Sequence, residues 1–157
     1  MAELDLAAHL HETTEWAYHN LVNDLNALSE EQATTPLDPG ARPATHLVAE
    51  CAAVNRMLAD LLAEGAASRP TPEEREAYFA GIRTRADALD ALQDATDRLY
   101  KAVDGAAPDR WGEPVQTPFG PWTRARAVVL ASQHMMYHDG QINSLHLRHG
   151  DAEMHWK

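Results

Sequence analysis

Apolar positions recur every three to four residues along almost the whole chain, the spacing of amphipathic helices. The pattern predicts four long ones. The first runs from Leu4 to Leu28, with Leu6, Leu10, Ala17, Leu21, Leu25 and Leu28 on one stripe. The second opens at Pro43, whose missing N–H is tolerated in a first turn, and carries His46 to Glu64 until Gly65 stops it. Its stripe is Leu47, Val54, Met57, Leu58 and Leu61. The third begins at Thr71, where Glu73 and Glu74 suit the positive end of a helix dipole. It reaches Val103 with Phe79, Ile82, Ala86, Leu89, Leu92 and Leu99 inside. The fourth spans Trp122 to Arg148, and Gly150 ends it. Ser29 to Arg42 reads as a loop rich in Thr and Pro, and Gly105 to Pro121 as a longer connection made rigid by its prolines. Val and Ile are few and never alternate with polar residues, so no strand is expected. Four helices of roughly 20–28 residues, about 30–40 Å long, predict an all-α four-helix bundle.

Length and charge narrow the partners. A chain of 157 residues predicts a single domain over 1–157. Asp and Glu number 24 against 13 Lys and Arg, a net charge of −11. Nucleic acid and anionic membranes are bound through basic patches, so neither is an expected partner. No apolar run is long enough to cross a membrane. Met1-Ala2-Glu3-Leu4-Asp5-Leu6 is acidic and lacks the apolar centre of a secretory signal. Cys51 stands alone and forms no internal disulfide. A cytoplasmic protein is the expectation.

Nine histidines are the feature that needs explaining. His134 and His138 are four apart, neighbours on one helical face with Cβ atoms about 5–6 Å apart. Ala127, Leu130, Gln141 and Leu145 share that face, so both rings point inward. His46 shares its stripe with Ala53, Met57 and Leu61. Buried imidazoles without partners are destabilising, and one divalent metal shared among three of them removes the penalty. An HxxxH spacing also arises by chance, and a buried polar cluster is the plain alternative. His11, Glu15 and His19 form a rival ladder, but 100–180° from the leucine stripe of their helix, roughly, by helical geometry. A solvated face or a dimer surface fits them better. His146, His149 and His155 crowd the C-terminus and are expected to be exposed. Cys51, about 140° round the helix from His46 by the same geometry, reads as a small buried residue, not as a ligand or nucleophile.

His134-Met135-Met136-Tyr137-His138-Asp139-Gly140-Gln141 resembles the HxxxHxGQ signature of the DinB/YfiT-like superfamily. His46 in Thr45-His46-Leu47-Val48-Ala49-Glu50 and the Pro-Phe-Gly loop before the last helix fit the same family. The resemblance implies an up-down-down-up bundle with a three-histidine divalent metal site, here His46, His134 and His138. Glu50, one turn after His46, is a candidate proton acceptor or a support for a ligand, and a salt-bridged surface Glu is as natural a reading. Gln141 and Tyr137 are further candidates at the site, with helix packing the plain alternative for Gln141 and a place in the core the plain reading of Tyr137. Asp139, about 100° off the metal face, would orient a neighbouring helix or a protomer contact.

Three chemistries compete. The resemblance implies a metal-dependent transferase that activates a low-molecular-weight thiol of the mycothiol or bacillithiol type for attack on a small electrophile. The metal would favour the thiolate, the true nucleophile. Arg outnumbers Lys by 11 to 2 and Ala is frequent, a composition of GC-rich genomes that leans towards mycothiol. A metal-dependent hydrolase activating water is the second. The HExxH arrangement of metalloproteases is absent, since Met135 follows His134, so Glu50 would have to act as base. The third is a non-catalytic metal or small-ligand binding bundle. Three protein ligands leave a position open, which favours a catalytic over a structural metal. Zinc or nickel is the expected metal, a small molecule the expected substrate, and a homodimer the expected assembly.

Overall fold

Side-chain caps decide where this chain becomes helical. Ser29, Thr71 and Thr84 each accept the backbone N–H of the residue three positions on, and Gln32, Glu74 and Asp87 reach back to the cap. The computed structural model describes residues 5–67, 69–117 and 119–156. Its helices are α1 (Leu6–Ala27), α2 (Glu30–Thr34), α3 (Ala44–Glu64), α4 (Pro72–Gly81), α5 (Arg85–Asp104) and α6 (Arg124–Arg148). The expected start at Leu4 and the first residues read for a leader lie outside the described residues, as does Pro118.

Three expectations need correction. The third long helix is two helices. Ile82 takes extended backbone angles, and the Thr84 capping box starts a new helix. Ala86 is consequently exposed, and Ala88 takes the buried position. The loop after α1 holds the short helix α2, nucleated by the Ser29 cap. Strands do occur: β1 (Pro114–Thr117) and β2 (Gly120–Thr123) form an antiparallel hairpin in the predicted rigid connection, and β2 takes Trp122 and Thr123 from the expected start of the last helix. Gly120, at φ 103°, makes the turn, and the Thr117 hydroxyl donates to the Gly120 carbonyl at 2.7 Å. The sequence lacked a strand signal because each strand has only four residues and one proline, Pro114 at the end of the pairing and Pro121 opposite Gln116.

α1, α3, α5 and α6 share the interior. Leu21, Leu25, Leu47, Val48, Leu92, Met135 and Ile142 form one part of the core. Leu10, Leu58, Leu61, Leu99, Trp111 and Val128 form another. α3 and α5 run the same way, since Arg56 meets Asp94 and Asp60 meets Arg98. α1 opposes α5, with His11 on Asp104 and Tyr18 on Gln93. α6 opposes α3: the buried Arg124 guanidinium donates to the Leu62 carbonyl at 2.6 Å, and Asn55 reaches the Met135 sulfur. That arginine satisfies a carbonyl in the last turn of α3 that has no helical partner. α4 buries none of its residues fully and touches α3 through Tyr78 and Phe79. No helix among the described residues is long and apolar enough to cross a membrane.

Asp139 faces α1, as its offset from the histidine face implies, and meets Asp24; both are fully buried. Asp139 Oδ1, Asp139 Oδ2 and Asp24 Oδ1 meet no donor. Two carboxyl groups in that position share a proton, which is the missing donor. Burial first, and then Asp24, raises the Asp139 pKa. The folded protein therefore holds this proton more tightly than the unfolded chain does. Its contribution to stability is full below the ordinary carboxylate range near pH 4 and is lost as pH rises through the raised folded value, by at most about 1.4 kcal/mol per pH unit. Asp139→Asn supplies a permanent donor and removes this loss. Urea unfolding at pH 5 and pH 8 checks it: the wild type weakens between the two, and the variant weakens less.

Candidate metal centre

The face of α6 that carries His134 and His138 is turned to α3. His138 is 1% exposed and His134 half-buried. Their rings meet edge to face at 88°, with centroids 4.6 Å apart. His138 Nδ1 lies 2.7 Å from Gln141 Oε1. An amide oxygen only accepts, so Nδ1 carries the proton and Nε2 keeps its lone pair. Nε2 of both histidines is buried without a hydrogen-bond partner. Burial pulls the His134 pKa down to about 4, helped by His138, and burial lowers His138 too. Both rings are therefore neutral at physiological pH, the form in which imidazole binds a metal.

α3 supplies the opposite wall. Glu50 Oε2 stands 3.5 Å from His138 Nε2. Burial pushes the Glu50 carboxyl up, but the Arg42 ion pair outweighs it and the net direction is down. Arg75 of α4 lies 3.7 Å from the other Glu50 oxygen. Cys51 is fully buried, and its Sγ groups with the ligand nitrogens of His134 and His138 within 4.8 Å. Burial and the Glu50 charge push the Cys51 pKa up, so the thiol stays protonated. Its Sγ lies 3.9 Å from the His134 carbonyl.

The remaining candidates fall into place around this pair. His46 does not join the 4.8 Å group; it is half-buried one turn before Glu50, with its ring 5.2 Å from Phe79. Gln141 touches the centre directly through His138. Tyr137 is 63% exposed, against its plain reading as core, and packs on His138 at 5.0 Å with its hydroxyl 3.4 Å from Gln141 Nε2. His11 stacks on Tyr100, and His19 pairs with Glu15 on the exposed face of α1, away from this centre. His146, expected at the surface, is 2% exposed. Trp111 belongs to the core.

Sequence reasoning missed Arg42, Arg75 and the nearness of Cys51. Cys51 had a signal: it falls on the Leu47–Leu58 stripe that faces the core, one turn after Leu47. The two arginines had none, since Arg42 precedes α3 and Arg75 belongs to α4, and only the fold brings both to Glu50. A cleft of about 390 Å³ lined by Pro72, Arg75, Glu76 and Phe79 adjoins the centre through the Arg75–Glu50 and Phe79–His46 contacts. A larger groove of about 570 Å³ between α1 and α6, lined by His9, Trp16 and Met136, contains none of the residues of the centre.

The fold is shared with solved structures. The mycothiol-dependent maleylpyruvate isomerase superposes with a TM-score of 0.69 at 17% identity, over 92% of this chain and 67% of that one. A point mutant of the same isomerase gives 0.71 at 18% identity with the same coverage. A DinB-like protein from Bacillus subtilis gives 0.65 at 14% identity, over 96% of both chains. At these identities the likeness concerns the fold alone. No curated protein matches the chain in sequence. The sequence profile of the DinB superfamily matches residues 13–142, most of the chain and both walls of the histidine centre, and the chain belongs to the DinB superfamily.

Proposed function

We propose that this protein is a divalent-metal enzyme that activates a low-molecular-weight thiol for attack on a small electrophile. The observation that carries the reading is the pair of buried, neutral histidines with unpartnered Nε2 atoms, one of them fixed in its tautomer by Gln141. That donor set fits a metal such as zinc or nickel. His134 and His138 would hold it, with a third donor from α3. We assign that donor to His46, as the family resemblance implies. Glu50, one turn later and already at His138, is the competitor. The up-down-down-up course of a four-helix bundle belongs to the same reading, and the directions of α1, α3, α5 and α6 support it.

When bound, the metal supplies positive charge that favours a thiolate over a thiol. The protein's own groups do the rest. Glu50, held as a carboxylate by Arg42, accepts the thiol proton. The Arg75 guanidinium at the cleft offers a partner for an anionic group of the thiol or substrate. Phe79 and Tyr78 on α4 shield the His46 side from water. The thiol-dependent isomerase that shares this fold supports this chemistry over others. A hydrolase reading draws on one contact, the Glu50 carboxylate beside His138, where it would serve as base towards water. The exposed Trp16, Tyr137 and Leu147 support assembly as a homodimer.

Elemental analysis of zinc-loaded protein tests the centre. His134→Ala and His138→Ala should each remove one equivalent per chain with helicity retained; unchanged metal content would sink the assignment. His46→Ala and Glu50→Ala decide the third donor, since only the true ligand lowers the stoichiometry. Proton competition follows from the lowered His134 value: metal retention should fall as pH approaches about 4, where His134 takes up its proton. Glu50→Gln should lower the rate of mycothiol conjugation to a small electrophile by about 10²–10⁴ with metal content kept, the range for loss of a general base. Turnover of an ester without any thiol would favour the hydrolase instead.

A further inference from the structure

The C-terminal end of α6 holds a second group of metal-ligating side chains, separate from the first. His146, Asp151 and His155 each bring one ligand atom within 4.8 Å of the others. The chain reverses at Gly150, φ 84°, and the Asp151 N–H donates to the His146 carbonyl at 2.9 Å. This reversal sets the carboxylate against the His146 ring.

Two of the three donors, on His146 and Asp151, are aimed by a further contact. The His146 side chain is 3% exposed, and its Nε2 lies 2.8 Å from the Asp24 carbonyl oxygen. A carbonyl only accepts, so Nε2 carries the proton and Nδ1 is left with the lone pair. Nδ1 faces Asp151 Oδ2 at 3.4 Å, and His155 Nε2 stands 2.9 Å from that same oxygen. Asp151 Oδ1 accepts the Glu153 N–H at 2.9 Å, which orients the carboxylate. Donor atoms at 2.0–2.1 Å from a tetrahedral zinc lie about 3.3 Å from one another, and the two distances bracket that edge. A lone pair facing a carboxylate oxygen is repulsive unless a cation lies between them. A proton serves one such pair, whereas a divalent metal serves all three donors. The imidazole bonded through its other nitrogen to a backbone carbonyl is the arrangement that supports metal-binding histidines.

We propose that His146 Nδ1, Asp151 Oδ2 and His155 Nε2 form a second divalent-cation site, of the zinc class, that fastens the C-terminal segment onto α6. Trp156, next to His155, donates to Asp24 Oδ2 at 3.2 Å and meets Trp16 edge-on at 5.6 Å. A cation on His155 therefore also holds Trp156 over the buried Asp24. The site does not depend on the histidine centre or on the proposed activity.

Zinc titration of the His134→Ala/His138→Ala protein tests it, with cobalt as a spectroscopic probe. One equivalent should still bind, with cobalt showing visible bands of nitrogen and oxygen ligation. Adding His155→Ala or Asp151→Asn should abolish that equivalent. Zinc should also raise Tm in proportion to the logarithm of its concentration, and His155→Ala should remove the rise. Both added substitutions fall on partly exposed side chains, so the fold survives them. If the double-alanine background does not fold, the same titration compares wild type with His155→Ala, and the stoichiometry should drop by one. No binding in the background, or binding that His155→Ala leaves unchanged, overturns the proposal and leaves an ion pair between Asp151 and His155.

Discussion

Two imidazole rings, four residues apart on one helix, must sit neutral and ordered inside an apolar interior. Much of the molecule answers that demand. Gln141, one turn on, fixes the His138 tautomer from the same helix, so the orientation needs no distant support. α3 faces the rings with Glu50, and Arg42 keeps that carboxylate ionised against its own burial. Cys51 fills the space beside them as a protonated, apolar-like side chain. The apolar stripes of α1, α3, α5 and α6 hold these walls together, because the polar centre contributes desolvation penalties and the surrounding core outweighs them.

A second polar layer lies between α1 and α6. Asp24 gathers Asn143, Trp156 and the neighbouring Asp139, and its carbonyl orients His146. α6 thus presents two chemically different faces. One carries His134 and His138 towards α3; the other carries Asp139, Asn143 and His146 towards α1. Because His138 and Asp139 are adjacent, the histidine centre and the buried carboxyl pair are held by one rigid turn. The structure therefore couples the register of α1 against α6 to the placement of the histidines.

Helical periodicity and the HxxxH spacing were legible because both are local. A 3.6-residue repeat fixes which side chains share a face before any neighbour is known. The inward direction of His134 and His138 and the offset of Asp139 followed from that geometry; it placed Gln141 on the same face, and only the structure showed it bonding His138. The break between α4 and α5 was also written locally, in the Thr84–Asp87 capping box, but the continuous apolar spacing across it masked the signal. The four-residue strands lay below the length at which alternation carries information.

The sequence by itself determined the long helices α1, α3 and α6, the faces they present and the pairing of two histidines on one of them, since neighbours three and four residues apart are set by backbone geometry alone. Only the tertiary structure decided what those faces meet. Arg42, Arg75 and Glu50 converge from three segments. His146 is buried because its face of α6 docks on α1 at Asp24 and the C-terminal segment brings Asp151 and His155 against it. Contacts between residues distant in the chain depend on how helices dock and loops close, and no short-range pattern encodes that.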